Sequence, residues 1–240
     1  MIDEPQSNGH EPVHRTLHRL FIAICIAGAP LMMAGWFALC PQSSDPACPN
    51  VSDPLAAVAA FRAATPFRAQ WFLTVSVIAP YVCPISYIGL GMLAMREAPW
   101  TSTIGIACGW IGSVPWGFIA DSMFYFTAAA RLHQESAFAQ LHSQQGLFAF
   151  PQMMAVAGGW VIGHLLGYVL LGIALFRTRV IPRWASCLIV AAAPVMGPIA
   201  YGTNIGLVQV LGYLCVFVGS VPAAVVTVRR SRSGRIMENT

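Results

Sequence analysis

The sequence predicts an all-α polytopic membrane protein of six transmembrane helices, arranged as a 3+3 inverted repeat. Three observations carry this. First, 57% of the 240 residues are hydrophobic and only 9% charged, with a mean hydropathy of +0.65, too much apolar surface for one soluble core. Second, six apolar stretches reach the ~20 residues needed to cross a hydrocarbon core, at 20–39, 71–95, 100–121, 147–176, 185–203 and 206–228. Backbone amides in lipid must bond internally, so these are helices. Third, the first half recurs in the second. Ala79-Pro80-x-x-x-Pro84-Ile85-x-Tyr87 returns as Ala193-Pro194-x-x-x-Pro198-Ile199-x-Tyr201, and Gly112-Ser113-Val114-Pro115 returns as Gly219-Ser220-Val221-Pro222. Pro30-x-Met32-Met33-Ala34 returns as Pro151-x-Met153-Met154-Ala155. Each copy holds three spans, so the second crosses in the opposite sense to the first, as in many transporters.

Along the chain, 1–17 reads as a disordered cytoplasmic lead, acidic and polar at its start, with no cleavable signal peptide. The first repeat, 18–130, contains an external loop, 40–70. There Asp53-Pro54 offers an N-cap with proline at the first helical position, ahead of an interfacial helix with Leu55, Val58 and Phe61 on its apolar side. A second external amphipathic segment covers 131–146 and carries Leu132, Phe138 and Leu141. The second repeat follows at 147–228, and 229–240 is a basic cytoplasmic tail. Gly105-x-x-x-Gly109 and Gly163-x-x-x-Gly167 permit close helix approach, within the chain or in a homodimer.

All thirteen basic residues are arginine. Arg15, Arg19, Arg96, Arg177, Arg179, Arg183, Arg229, Arg230, Arg232 and Arg235 fall on one predicted side, against Arg62, Arg68 and Arg131 on the other. The positive-inside bias then puts both termini in the cytoplasm of a cell membrane. The net charge of +4 is accounted for by this bias and by anionic lipid, so the sequence calls for the bilayer as partner and for no nucleic acid.

The candidate functional residues divide into two groups. Pro80, Pro84, Pro194 and Pro198 sit in spans 2 and 5, where proline removes a donor and frees carbonyls that can hold a small apolar or neutral ligand; packing kinks are the simpler alternative. Asp121 and His164 are ionisable residues within spans 3 and 4, expensive in lipid and therefore informative. With Trp116, Tyr125, Gln152 and Trp160 they are expected to line one polar-aromatic pocket opening outward. A membrane enzyme on an isoprenoid or lipid would use Asp121 as acid and His164 as relay. The alternative reading gives both a structural role, Asp121 capping the short outer helix or pairing with Arg131 and His164 donating to a carbonyl across a glycine-rich interface. A third reading is an accessory subunit packed on another membrane protein through its glycine faces.

No cofactor or metal is expected. Haem ligation across helices needs two intramembrane histidines and the spans contain one, while Pro12 is expected to break a helix aligning His10, His14 and His18. Cys25, Cys83, Cys108, Cys187 and Cys215 read as apolar filler. Cys40 and Cys48 flank a proline-rich turn on the predicted oxidising side and are expected to form a disulfide.

Arg177-Thr-Arg-Val-Ile-Pro182-Arg183-Trp184-Ala185, between spans 4 and 5, resembles a signature of uncharacterised six-span integral membrane proteins of high-GC, actinobacterial-type bacteria. The resemblance implies the fold and a membrane location and brings no catalytic residues with it. Physically, arginines hold headgroups, Pro182 starts a helix and Trp184 anchors at the interface.

Overall fold

The computed structural model describes residues 11–39, 54–134, 136, 140, 150–200 and 206–237, and these are helical with short connections and no strand. The helices are α1 (Glu11–Ala38), α2 (Pro54–Ala63), α3 (Pro66–Ala94), α4 (Pro99–Ser113), α5 (Trp116–Leu132), α6 (Pro151–Thr178), α7 (Arg183–Pro194) continued by a π-helical turn (Val195–Ile199), and α8 (Gly206–Met237). Proline opens α2, α3, α4 and α6, where its missing amide would be unpaired anyway. Thr65 caps α3 by accepting the Arg68 amide at 3.3 Å. At the other ends, α5 and α6 stop on the left-handed residues His133 and Arg179, whose amides return to Ala129 and Leu175.

Five helical stretches among the described residues are long and apolar enough to cross a membrane: Val13–Ala38, Pro66–Ala94, Pro99–Leu132, Pro151–Thr178 and Gly206–Arg229. The apolar helix Arg183–Ile199 is shorter. It occupies the expected span 185–203, whose last residues lie outside the described set. Outward-facing residues fit lipid as solvent: Leu17, Ile24 and Leu31 make an exposed stripe on α1, while Ile26, Ala29 and Met33 are buried.

Three sequence expectations change. The third span does not end near Asp121. Its 15-residue first part, α4, would rise only ~22 Å, and the helix resumes after Val114-Pro115 and runs on to Leu132. The interruption follows from Pro115: Val114 and Pro115 keep helical dihedrals, but proline has no amide to donate, and the Gly117 amide bonds Val114 at i−3. Pro12 does not break a histidine helix. It lies in the first turn of α1, where proline is tolerated, so His14 and His18 share a face, while His10 lies outside the described residues. Finally, helix α1 begins at Glu11, inside the stretch read as an irregular lead.

Successive helices pack in order, α1 on α3, α3 on α4, α4 on α6, α6 on α7, α7 on α8, and α8 back on α1. Helix α5 turns away from this sequence to pack on α2 and α3, and Arg62 of α2 donates to His133 Nδ1 at 3.1 Å. The glycine motifs are used inside the chain. Gly167 meets the Gly109 backbone, and Gly163 meets Gly112 and the Cys108 carbonyl, so α4 and α6 touch backbone to backbone.

Candidate functional site

Helix α6 presents Trp160, His164 and Tyr168 one turn apart, on a single face. The close α4–α6 approach holds this face inside the bundle. Consequently His164 is buried, as are Tyr168, Tyr87, Tyr213 and Trp116. Rings run across the bundle in near contact: Trp36–Trp116 at 5.9 Å, Trp116–Trp160 at 6.0 Å, Trp160–His164 at 6.1 Å, His164–Tyr168 at 6.5 Å and Tyr168–Tyr87 at 4.8 Å.

Hydrogen bonding sets the chemistry of the imidazole. His164 Nδ1 lies 2.8 Å from the Trp160 carbonyl, and a carbonyl can only accept, so the proton resides on Nδ1 and Nε2 keeps its lone pair. The Tyr87 hydroxyl donates to the His164 carbonyl at 3.4 Å, and its ring packs on that of Tyr168. On the same face, the Trp160 indole N–H is buried without an acceptor. One helix face thus carries a donor and an acceptor on adjacent turns.

His164 and the tyrosines border a small, partly open cavity lined by Met33 of α1, Cys83 and Tyr87 of α3, Gly112 and Ser113 of α4, Trp116 of α5, His164 and Tyr168 of α6, and Tyr213 of α8. It leaves about 10 Å³ for the centre of a water molecule, room for one. Ser113 turns its hydroxyl back to the Gly109 carbonyl at 2.7 Å, leaving the tyrosines and His164 as the polar wall.

Of the residues singled out from sequence, Trp116, Trp160 and His164 are brought together. Asp121, Tyr125 and Gln152 are exposed, and Asp121 makes no ion pair with Arg131. The prolines do not converge: Pro84 is buried and Pro80 half-buried in α3, whereas Pro194 and Pro198 are exposed on α7. The Pro198 turn is π-helical, its cap amide on Ala200 bonding Gly197 and Val195, and the Met196 carbonyl accepts from Gln209 of α8 at 3.0 Å. Cys40 and Cys48 lie outside the described residues. Among the described residues no three metal-ligating side chains gather. Sequence reasoning missed Tyr87, Tyr168 and Tyr213. The four-residue spacing Trp160, His164, Tyr168 was the available signal for one of them, and Tyr87 closes a repeated motif.

No family model matches the chain, and no curated protein or solved structure matches it either.

Proposed function

We propose that this is a six-span, transporter-like membrane protein whose two three-helix halves hold a small neutral molecule between them, at the His164–Tyr168–Tyr87 cavity. The observation that carries the reading is that one small polar-aromatic cavity is lined from both halves, by α1, α3, α4 and α5 on one side and α6 and α8 on the other. An intramembrane histidine is costly without a task. The tyrosine hydroxyls and the imidazole of the lining suit a ligand that both accepts and donates. A ligand larger than water enters only when the halves part, the motion inverted-repeat transporters use. In this reading Arg183–Ile199 completes the sixth span, both termini are cytoplasmic, and the Arg177–Ala185 connection allies the chain with the small six-span proteins it resembles.

The inverted repeat draws support from the order of packing, in which exchanging the halves maps each successive helix contact onto another. Its motifs are nonetheless used differently: Gly112 abuts α6, whereas Gly219 abuts Ala185 and Ile189 of α7. The enzyme reading needs Asp121 beside His164, and an exposed Asp121 does not favour it.

The test is thermal unfolding of detergent-purified wild type, His164→Gln and Tyr168→Phe across a panel of small neutral metabolites, because a ligand of the folded state raises the apparent midpoint. The proposal requires a stabilising compound whose effect is lost in both variants. A compound acting equally on all three proteins would put binding elsewhere.

A further inference from the structure

Apart from the central cavity, the bundle carries an open groove of about 470 Å³ between α1 and α8, walled by Ala23, Ile24 and Ala27 on one side and Ala224, Val225 and Val228 on the other, with Arg229 at its end. This volume falls within the ~300–1,000 Å³ of small-ligand sites. The walls are aliphatic and, at three alanines, too short to fill the space between the helices. From Ala224 to Arg229 the groove runs ~8 Å along the helix, the depth of a glycerol unit and the first carbons of an acyl chain.

The charge lies at one mouth. Helices α1 and α8 are antiparallel, since Phe37 stacks on Tyr213 at 5.6 Å while Ala23 and Ala27 share the groove with Ala224 and Val228. That register brings Arg19, one turn before Ala23 on the same face, to within a helical turn of Arg229 along the axis. Neither arginine has an ion-pair partner among the described residues. Arg229 therefore ends an apolar slot, and the helix register puts Arg19 beside the same mouth, with the further arginines Arg230, Arg232 and Arg235 following in sequence.

We propose that this groove is a binding site for one anionic phospholipid, its phosphate held by Arg229 and Arg19 and its acyl chain lying on Ala23, Ala27 and Ala224. Guanidinium matches phosphate in bidentate geometry, and a basic recess between membrane helices is the arrangement that retains anionic headgroups. Bound there, the lipid covers the α1–α8 seam, which joins the first span to the last.

Delipidated protein is compared in micelles carrying phosphatidylglycerol or phosphatidylcholine, reading the thermal midpoint and, by native mass spectrometry, the number of lipids retained. The expectation is a higher midpoint and one retained phosphatidylglycerol, with no such effect from phosphatidylcholine or from inorganic phosphate. The double variant Arg19→Gln/Arg229→Gln should lose this preference while matching wild type in phosphatidylcholine, and Ala27→Leu/Ala224→Leu should expel the lipid by filling the slot. Equal retention of the two lipids by wild type, or a preference that survives the charge variant, overturns the proposal. So does stabilisation by inorganic phosphate alone. A groove filled by residues 1–10 would show as phosphatidylglycerol retention gained only after their removal, which also overturns it.

Discussion

Gly112 of α4 lies so close to His164 of α6 that a methyl group added at Gly112 would strike the His164 backbone nitrogen and approach its Cα at 2.8 Å. The position of the imidazole is therefore set by two backbones in contact, and the absence of a side chain at Gly112 is what permits it. The obstructing atoms are main chain, so neither helix can yield by a rotamer change.

Gly112→Ala and Gly163→Ala should each destabilise the protein by ~1–3 kcal/mol, the usual cost of overpacking. Gly158, with open space around it, provides the control: Gly158→Ala should be neutral or stabilising by up to ~1 kcal/mol from helix propensity. Midpoints of denaturant unfolding for the three variants check this. Equal behaviour of Gly158→Ala and Gly163→Ala would contradict backbone contact between α4 and α6.

Tyr87→Phe removes the bond to the His164 carbonyl but keeps the ring against Tyr168. A loss of ~0.5–1.5 kcal/mol is expected, the net worth of one hydrogen bond. Tyr87→Ala should cost ~3–5 kcal/mol by emptying a buried ring site. The comparison separates the hydroxyl from the packing, and a Phe variant as damaged as Ala would assign the hydroxyl a larger part.

Asp121→Asn should leave both the midpoint and any ligand-induced shift within experimental scatter, because the side chain is exposed and stands outside the His164 cluster. A lost ligand response in this variant would return Asp121 to the site and revive proton chemistry there.

Gln209→Leu takes away the side-chain donor to the Met196 carbonyl. Losing this part-buried hydrogen bond at the α7–α8 contact should cost ~0.5–1.5 kcal/mol. Gln209→Glu offers no donor when ionised and should be no better. Thermal unfolding of the two variants distinguishes this from a simple shape effect, since Gln209→Glu nearly preserves the shape.

Reporter fusions placed after Arg96, Arg179 and Arg229 should all report the cytoplasmic side, and fusions after Arg62 and Gln134 the opposite one. A fusion after Arg179 on the other side from Arg229 would mean that Arg183–Ile199 does not cross.

Residue types and their spacing were enough to determine the all-helical class, the approximate location of the apolar stretches, the proline-marked starts of α2 and α7, and the small-residue stripes. These are local properties: hydropathy is a sum over a window, and a proline or glycine acts on its own turn. Trp116, Trp160 and His164 were legible as site candidates because polar or indole groups inside a span are few. Which candidates meet was decided by tertiary structure alone. Pro115 interrupts the third span and α5 departs to pack on α2 and α3, so Asp121 is left exposed although it is near Trp116 in sequence. Pro80 and Pro84 belong to a helix packed among α1, α4, α5 and α6 while Pro194 and Pro198 face outward, and matching motifs do not disclose this difference. The helix face carrying Trp160, His164 and Tyr168 could have turned to lipid with the same periodicity. It turns inward because Gly163 and Gly167 beside it let α4 approach to backbone contact, and that contact depends on two distant segments being smooth at the same height.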